Sequence, residues 1–366
     1  MDHLIALDAC ASPKLERAKL EYEWEQFISG NNTSPSIRPL IYDSWKRCLE
    51  QNVNPFQSKT FIRLSKEQIE EYLSTNLLYR ILKPILVNLK DRATDSGYLI
   101  TFCNFSGDIV YLDGDLPLML KAEDMNFVVG ASWAEHNAGT NAMGTALVTG
   151  FPIQVFAGEH FCQEVQKWTC SAAPIHDPAT QNILGAINLT GLWRVNHPQS
   201  LSVVISAAQA AEKYLYTQLR QERFRLLEHY SQIISSGIRS PLVVLDRGCN
   251  VIKASSILYE QGWIDSNRFL VGAPSIIFPL TSKMHWESNH RTGIWRFELT
   301  PYIYGGNPIG AIVWVIPPIL TASSHLTKHV LHSEINKTQL SDVSSSNTTI
   351  TSKEKKRMAV QQFIES

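Results

Sequence analysis

Hydrophobic positions in the first part of the chain recur at intervals of three and four residues, the spacing that places side chains on one face of an α-helix. This pattern predicts one helix over residues 15–28 and a second over residues 37–52. A capping-box sequence at Ser65–Gln68 predicts the start of a third helix, which extends to about Leu82. We therefore expect residues 1–82 to form an N-terminal helical module.

The pattern changes in residues 83–199, where short apolar runs are bounded by turn residues and mixed with helical segments. Helices are predicted for residues 133–148 and 159–168. An intermixed order of this kind is typical of an α+β domain built on an antiparallel sheet. The predicted strands are two that flank the turn Asn104–Asp108 and two more at Pro152–Phe156 and Asn182–Leu189.

Residues 200–236 are predicted to form one long helix. Its apolar positions follow steps of four, three and four from Val204 to Ile233, with a polar break at Glu222. Such a seam suits a linker helix that pairs with its copy in a second subunit, which would make a homodimer. A terminal helix packed on its own domain would give the same pattern, and the sequence leaves both alternatives open.

A second α+β segment is predicted for residues 237–320. Strands flank the turns at 246–248 and 305–307, with a helical middle between the two hairpins, which is typical of a small sensor domain. Residues 321–366 are polar, and eight of the twelve residues in 341–352 are Ser or Thr, which indicates a flexible, disordered tail.

Composition narrows the function classes. The hydrophobic fraction of 44% argues against global disorder, and the formal net charge of -1 excludes a chain-wide electrostatic surface for nucleic acid. Residues 121–191 carry two Lys against six acidic residues, so this part of the chain would repel a phosphate backbone. The first α+β domain is therefore not expected to bind nucleic acid.

Cysteine spacing and hydropathy together indicate the compartment. None of the six cysteines forms a C-x-x-C pair, which argues against paired-thiolate zinc and a disulfide scaffold. The N-terminus lacks the basic region of a signal peptide, and no apolar run is long enough to cross a membrane. We expect a cytoplasmic protein with reduced thiols and no membrane partner.

The segment Gly139–Ala146 has the two glycines of a phosphate-binding loop at the right spacing. A Walker loop needs Lys after the second glycine to reach the nucleotide phosphates, and this chain has Thr145 there. The motif therefore fails at its one charged group, and ATP hydrolysis is not expected.

Polar side chains are concentrated between Trp133 and Gly191. Uncharged donors and acceptors beside aromatic rings would suit a small neutral polyol or ketol, whereas helix capping is the alternative role for Asn and Thr. The candidate ligand-binding residues are Trp133, Glu135, Asn137, Thr140, Asn141, Thr145, His160, Trp168, His176 and Asp177.

The same segment contains metal-donor and nucleophile types. His160, Cys162, Cys170 and His176 include enough donors for a metal, but their spacing matches no standard zinc pattern, and burial against the backbone explains them equally well. The apolar surroundings of Cys170 would raise its thiol pKa, which disfavours a nucleophile. We expect no metal, no cofactor and no enzyme activity.

Several of these motifs, in this order, resemble one family. Ser44–Cys48 resembles the S-W-x-R-C helix of activators of acetoin and glycerol (dihydroxyacetone) metabolism, a group of sigma-54-dependent, Fis-type regulators. GTNAMGTAL, GEHF, CSAAPIHDP and ILGAINLTG resemble the GAF sensor domain of that family. Residues 35–195 carry the resemblance, and residues 238–318 are more weakly similar to a PAS-type domain.

The resemblance implies the sensor half of a regulator, dimeric through its connecting helix. We expect neither the family's AAA+ ATPase nor a complete helix-turn-helix here, so DNA would be a partner only through helices beyond residue 366. The basic run at 353–357 resembles the start of such a unit or, equally, a solvated helix end. The signal would be a small diol-like or ketol-like metabolite, or a metabolic enzyme subunit docked on the GAF domain.

Overall fold

The computed structural model describes residues 4–7, 11–31, 37–94, 97–195, 199–276, 280 and 282–318, with side chains described except at 91–94. The tail expected at residues 321–366, with its Ser/Thr-rich segment and its basic run, lies outside the described residues. Of the helices within these ranges, none combines the length and the apolar character needed to cross a membrane.

Two antiparallel five-stranded sheets and one long helix make up the framework, which confirms the α+β class. The helices are α1 (Pro13–Ile28), α2 (Pro39–Glu50), α3 (Lys66–Thr75), α4 (Leu77–Thr94), α5 (Leu116–Ala122), α6 (Glu135–Ala138), α7 (Ala142–Thr149), α8 (Ser200–Ser235) and α9 (Ser256–Glu260). The strands are β1 (Tyr98–Asn104), β2 (Ile109–Gly114), β3 (Ile153–Phe156), β4 (Trp168–His176), β5 (Ile183–Leu192), β6 (Leu242–Asp246), β7 (Val251–Ala254), β8 (Met284–His290), β9 (Gly293–Tyr304) and β10 (Asn307–Ile316). Strand order is β2-β1-β5-β4-β3 in the first sheet and β7-β6-β10-β9-β8 in the second.

The N-terminal helices follow the hydrophobic pattern, with one correction. Ser65 caps α3 through the expected capping box, but the single helix predicted from there to Leu82 is divided at Asn76. The backbone of Asn76 is extended, and its side-chain oxygen accepts a hydrogen bond from the N–H of Tyr79, so Asn76 ends one helix and caps the next. Helix α4 then continues through Pro84, past the domain boundary expected at residues 82 and 83.

Strand β4 was not among the predicted strands, although it lies next to the centre of the first sheet. All of its residues except His176 are buried, so the alternation that identifies a half-exposed strand is missing. The helix predicted over residues 159–168 is reduced to 3₁₀ turns at Ala157–Glu159 and Gln163–Lys167. A strand that is buried on both faces has no alternation of apolar and polar residues, so a search for that alternation does not detect it.

The two faces of the first sheet are covered by different parts of the chain. Helices α4 and α8 pack on one face, and α1, α2, α5 and α7 belong to the core on the other. Trp45 of α2 is fully buried in that second layer. The N-terminal helices are therefore part of the same core as the sheet.

Helix α8 confirms the long helix predicted from the eleven-residue repeat. Val204, Ala208 and Leu215 pack against the first sheet, and Leu226 and Ile233 pack against the second. The apolar positions are thus buried against both sheets of their own chain, so α8 connects the two sheets and is not a terminal helix on a single domain. Homodimerisation stays a prediction.

The second sheet confirms both predicted hairpins, β6–β7 and β9–β10. It also contains β8, which the pattern did not predict because only its alternate residues are partly buried and polar residues interrupt them. The helical middle is represented by the five-residue helix α9. One face of this sheet packs on α8, and the other has its own core around Trp263 and Phe297.

Candidate functional site

A narrow cavity lies on the face of the first sheet that α7 covers. Residues of β4 and β5 form its floor, and α7 and the segment before it form the opposite wall. The space between its wall atoms amounts to about 220 Å³ and is so narrow that a water molecule does not fit. Its wall is mostly apolar, as in many ligand pockets. The lining residues are Met125, Phe127, Trp133, Asn141, Ala142, Met143, Val165, Cys170, Asn188 and Thr190.

Two of the ten candidate ligand-binding residues line this cavity. The indole N–H of Trp133 donates to the carbonyl of Asn126 at 3.2 Å, and its ring meets Phe127 edge to face at 4.8 Å. Asn141 caps α7: its Oδ1 accepts from the N–H of Gly144, and its amide donates to the carbonyls of Trp133 and Gly139. Trp133 therefore presents an aromatic wall, while the polar atoms of Asn141 are already used in capping.

Asn188 is the polar wall residue that the sequence analysis missed. Its amide nitrogen donates to the hydroxyls of Thr101 and Thr190, each at 2.8 Å, and its Oδ1 has no partner in the described structure. An unpaired buried acceptor costs about 1–3 kcal/mol. The available signal was an Asn inside the strand ILGAINLTG, a residue type that strands disfavour.

Cys170 forms part of the same wall and is a buried free thiol. The hydroxyl of Thr190 donates to its sulfur at 3.3 Å, and burial raises the pKa of Cys170 to about 12. The raised pKa agrees with the expected effect of the apolar surroundings of Cys170. Thiolate chemistry would require a lowered pKa.

Cysteine alkylation tests that reading. In the native protein near pH 8, iodoacetamide is expected to leave Cys170 unlabelled and to react first, among the cysteines of the described ranges, with the partly exposed Cys249. Peptide mass spectrometry after timed quenching measures the order, and labelling in guanidinium is the control that every peptide is detectable. Rapid native labelling of Cys170 would contradict its burial.

Three further candidates form a buried polar network with α2. Glu135, Thr140 and Thr145 surround Ser44, whose hydroxyl lies 2.7 Å from both the Glu135 carboxylate and the Thr140 hydroxyl. Arg47 donates to both carboxylate oxygens of Glu135, at 2.6 and 3.0 Å, and this hydrogen bonding raises the pKa of Arg47 further. These contacts fasten α2 to α6 and α7.

A second arginine on the same side holds the GEHF segment. Arg38 donates to both carboxylate oxygens of Glu159, at 2.7 and 2.6 Å, and the indole N–H of Trp45 donates to the Glu159 carbonyl. His160 beside them is fully buried, its Nδ1 lies 3.0 Å from the Ala157 carbonyl, and burial lowers its pKa to about 4. His160 is therefore a neutral core residue outside the cavity wall.

The remaining candidates are dispersed. The Asn137 amide donates to the Ser132 hydroxyl, and Trp168 is buried at the start of β4. His176 and Asp177, at the far end of β4, contact α8 and the second sheet. Seven of the ten candidates thus lie in the cavity wall, the α2 network or this distant end, and Asn137, His160 and Trp168 lie outside all three.

The contacts of Asp177 form what we call the junction, defined by Asp177, Glu222 and Arg247. Arg247, in the turn between β6 and β7, donates to the carboxylates of Asp177 and of Glu222 on α8. Next to it, Arg223 pairs with the fully buried Asp246. The first sheet, α8 and the second sheet therefore meet at one guanidinium.

The four residues of the metal alternative do not come together. His160 contacts a backbone carbonyl, Cys170 contacts Thr190, and His176 contacts Glu212. Across the ranges with described coordinates, no group of three or more His, Cys, Asp or Glu side chains could hold a metal ion.

Comparison with known proteins follows the same segments. The family model described as MimR, N-terminal domain, matches residues 17–213. An uncharacterised 47.3 kDa protein from the thcA 5′ region of Rhodococcus erythropolis is 36% identical over 208 residues, which cover 57% of this chain and 48% of that protein. The acetoin dehydrogenase operon transcriptional activator AcoR of Bacillus subtilis is 29% identical over 234 residues, 63% of this chain and 38% of that protein.

Among solved structures, the Escherichia coli DhaR(N)–DhaL complex contains a chain of similar fold. The TM-score is 0.50 at 18% identity, and the match covers 76% of this chain and 100% of that one. The chain spans less than half the length of the two curated relatives described above.

Proposed function

The chain belongs to the family described as MimR, N-terminal domain, and from this premise we propose that it senses a signal of small-carbon metabolism for a transcriptional regulator. Its relatives include transcriptional activators, one of them named for the acetoin dehydrogenase operon. In this proposal residues 83–199 form a GAF-type domain, 200–236 the signalling helix and 237–320 a PAS-type domain. No catalytic step is assigned to the chain.

One observation carries the proposal: a single strand links the cavity to the junction. Cys170 of β4 lines the cavity, and Asp177 follows the last residue of the same strand and pairs with Arg247. Seven residues of strand span about 23 Å. A shift of β4 at the cavity therefore has a direct covalent route to the contact between α8 and the second sheet.

The mechanism requires two arrangements of the wall. A metabolite that enters must separate side chains that now leave no room for water, and it favours the open arrangement only by binding it more tightly. Met125 and Met143 are the flexible wall residues most suited to such a movement. The junction would then pass the displacement of β4 to α8.

A second candidate function is docking of a partner protein. A chain of similar fold was crystallised with DhaL, as the name of that complex states. In this alternative the surface of the GAF-type domain would bind a metabolic enzyme subunit, and the cavity would stay closed. Homodimerisation is compatible with both candidates.

Thermal unfolding with a panel of small diols, ketols, ketones and glycerol derivatives distinguishes the two. A metabolite that binds only the native state is expected to raise the Tm by several degrees at concentrations about a hundredfold above its Kd. Hydrogen exchange in the same samples should change at residues 170–177 and in the turn at 246–249. Silence across the panel, with specific capture of an enzyme subunit, would favour docking.

A further inference from the structure

We propose that the cavity recognises its ligand through one hydroxyl group, and that Asn188 Oδ1 accepts the hydrogen bond from that hydroxyl. The ligand is a small uncharged molecule whose carbon atoms contact Phe127, Trp133 and Met143. This inference rests on the proposed sensory function of the cavity and adds to it the recognition residue and the functional group that it selects.

The hydrogen bonds around Asn188 leave the oxygen of its side-chain amide without a partner within the described residues. Both amide hydrogens are used, one by each hydroxyl of Thr101 and Thr190. Those hydroxyls donate onward to the sulfur atoms of Met143 and Cys170, at 3.5 and 3.3 Å. The Thr101 hydroxyl is also 3.5 Å from the backbone carbonyl of Asn188, but no donor within the described residues reaches the side-chain oxygen Oδ1.

Neither bulk water nor cavity water satisfies that oxygen in this arrangement. Asn188 is 1% exposed, and the closed cavity does not admit a water molecule. The other wall groups with strong hydrogen-bonding capacity are engaged, since the Trp133 indole donates to Asn126 and Asn141 caps α7. A ligand donor thus meets one unpaired acceptor, and a hydroxyl is the smallest neutral group that supplies a donor.

The wall also limits the charge and the size of the ligand. It contains no Asp, Glu, Lys, Arg or His, so an ion would be buried without a counter-charge, which is strongly unfavourable. The wall leaves no room even for a water molecule in this arrangement, so a ligand must displace wall side chains to enter, and this favours a small molecule.

Matched alcohols and ketones test the inference without any mutation. Binding of cyclopentanol and cyclopentanone, and of butan-2-ol and butan-2-one, is measured by thermal shift and calorimetry on the full chain. Each alcohol is expected to bind at least about tenfold more tightly than its ketone, because only the alcohol pairs with Oδ1. Equal affinity, or preference for the ketone, would overturn the proposal.

The variant Asn188→Leu removes the acceptor while keeping the approximate size of the side chain. It should bind alcohol and ketone equally, and Asn182→Leu, an exposed asparagine before β5, should keep the tenfold preference. Retention of the preference in Asn188→Leu would overturn the assignment to Asn188. If the metabolite panel yields a ligand without a hydroxyl, this inference fails and sensing stands; if neither panel nor probes bind, both fail.

Discussion

Replacement of Arg47 by methionine is expected to lower the free energy of unfolding by about 2–4 kcal/mol. Glu135 is 2% exposed and receives two hydrogen bonds from this guanidinium, so the variant leaves a buried carboxylate without its counter-charge. Methionine keeps much of the apolar stem, which separates the loss of charge pairing from the loss of packing. Guanidinium unfolding followed by tryptophan fluorescence gives the change.

Lys46→Met is the matched control, because Lys46 lies on the same helix and is half exposed beside Asp43. Its effect should stay below about 0.5 kcal/mol. Adding Glu135→Gln to Arg47→Met should restore part of the loss, since the remaining buried group is then neutral. A loss below about 1 kcal/mol for Arg47→Met would mean that α2 does not depend on this pair.

Replacement of Arg247 by methionine is expected to cost about 1.5–3 kcal/mol and to separate the unfolding of the two sheets. Burial lowers the pKa of Arg247, but its hydrogen bonds and charge attraction to Asp177 and Glu222 outweigh this and leave the pKa raised, so the guanidinium stays charged where three elements meet. Without it, Asp177 and Glu222 lose a shared partner. Two unfolding transitions should then replace one in calorimetry.

The exposed Arg239, in the connection between α8 and β6, provides the control variant Arg239→Met. Ligand addition offers an independent readout, because Arg247→Met should keep ligand affinity while losing the hydrogen-exchange response in the turn at 246–249. A variant that still transmits that response would exclude the junction as the route.

Local signals in the sequence predicted the elements that depend on neighbouring residues. The steps along α8 and the capping box at Ser65 are such signals, and both are confirmed. Strand β4 escaped because burial on both faces removes alternation, and the break at Asn76 escaped because an asparagine cap resembles any polar helix position. Tertiary burial therefore concealed β4, whereas the break at Asn76 depends on a local cap.

The candidate site shows the same contrast between features that local sequence indicates and features that depend on distant residues. The sequence indicated where candidate polar residues are concentrated, but the partners of Glu135 lie on α2, about ninety residues earlier. Spacing along the sequence cannot show that Glu135 faces Ser44 and Arg47. Asn188 was missed because its importance lies in one unpaired oxygen, and one of its two partners, Thr101, is 87 residues away in the sequence.

The shared burial of α8 has a consequence for exchanging sensory halves between relatives. Apolar residues of α8 up to Leu215 pack on the first sheet, and Glu222, Arg223 and Leu226 contact the second. A chimaera spliced at the end of the first sheet would give α8 a foreign surface along its first half. Splicing between Leu219 and Glu222 keeps each half of the helix with the sheet on which it packs. The middle of α8 is therefore the place at which sensory halves can be exchanged.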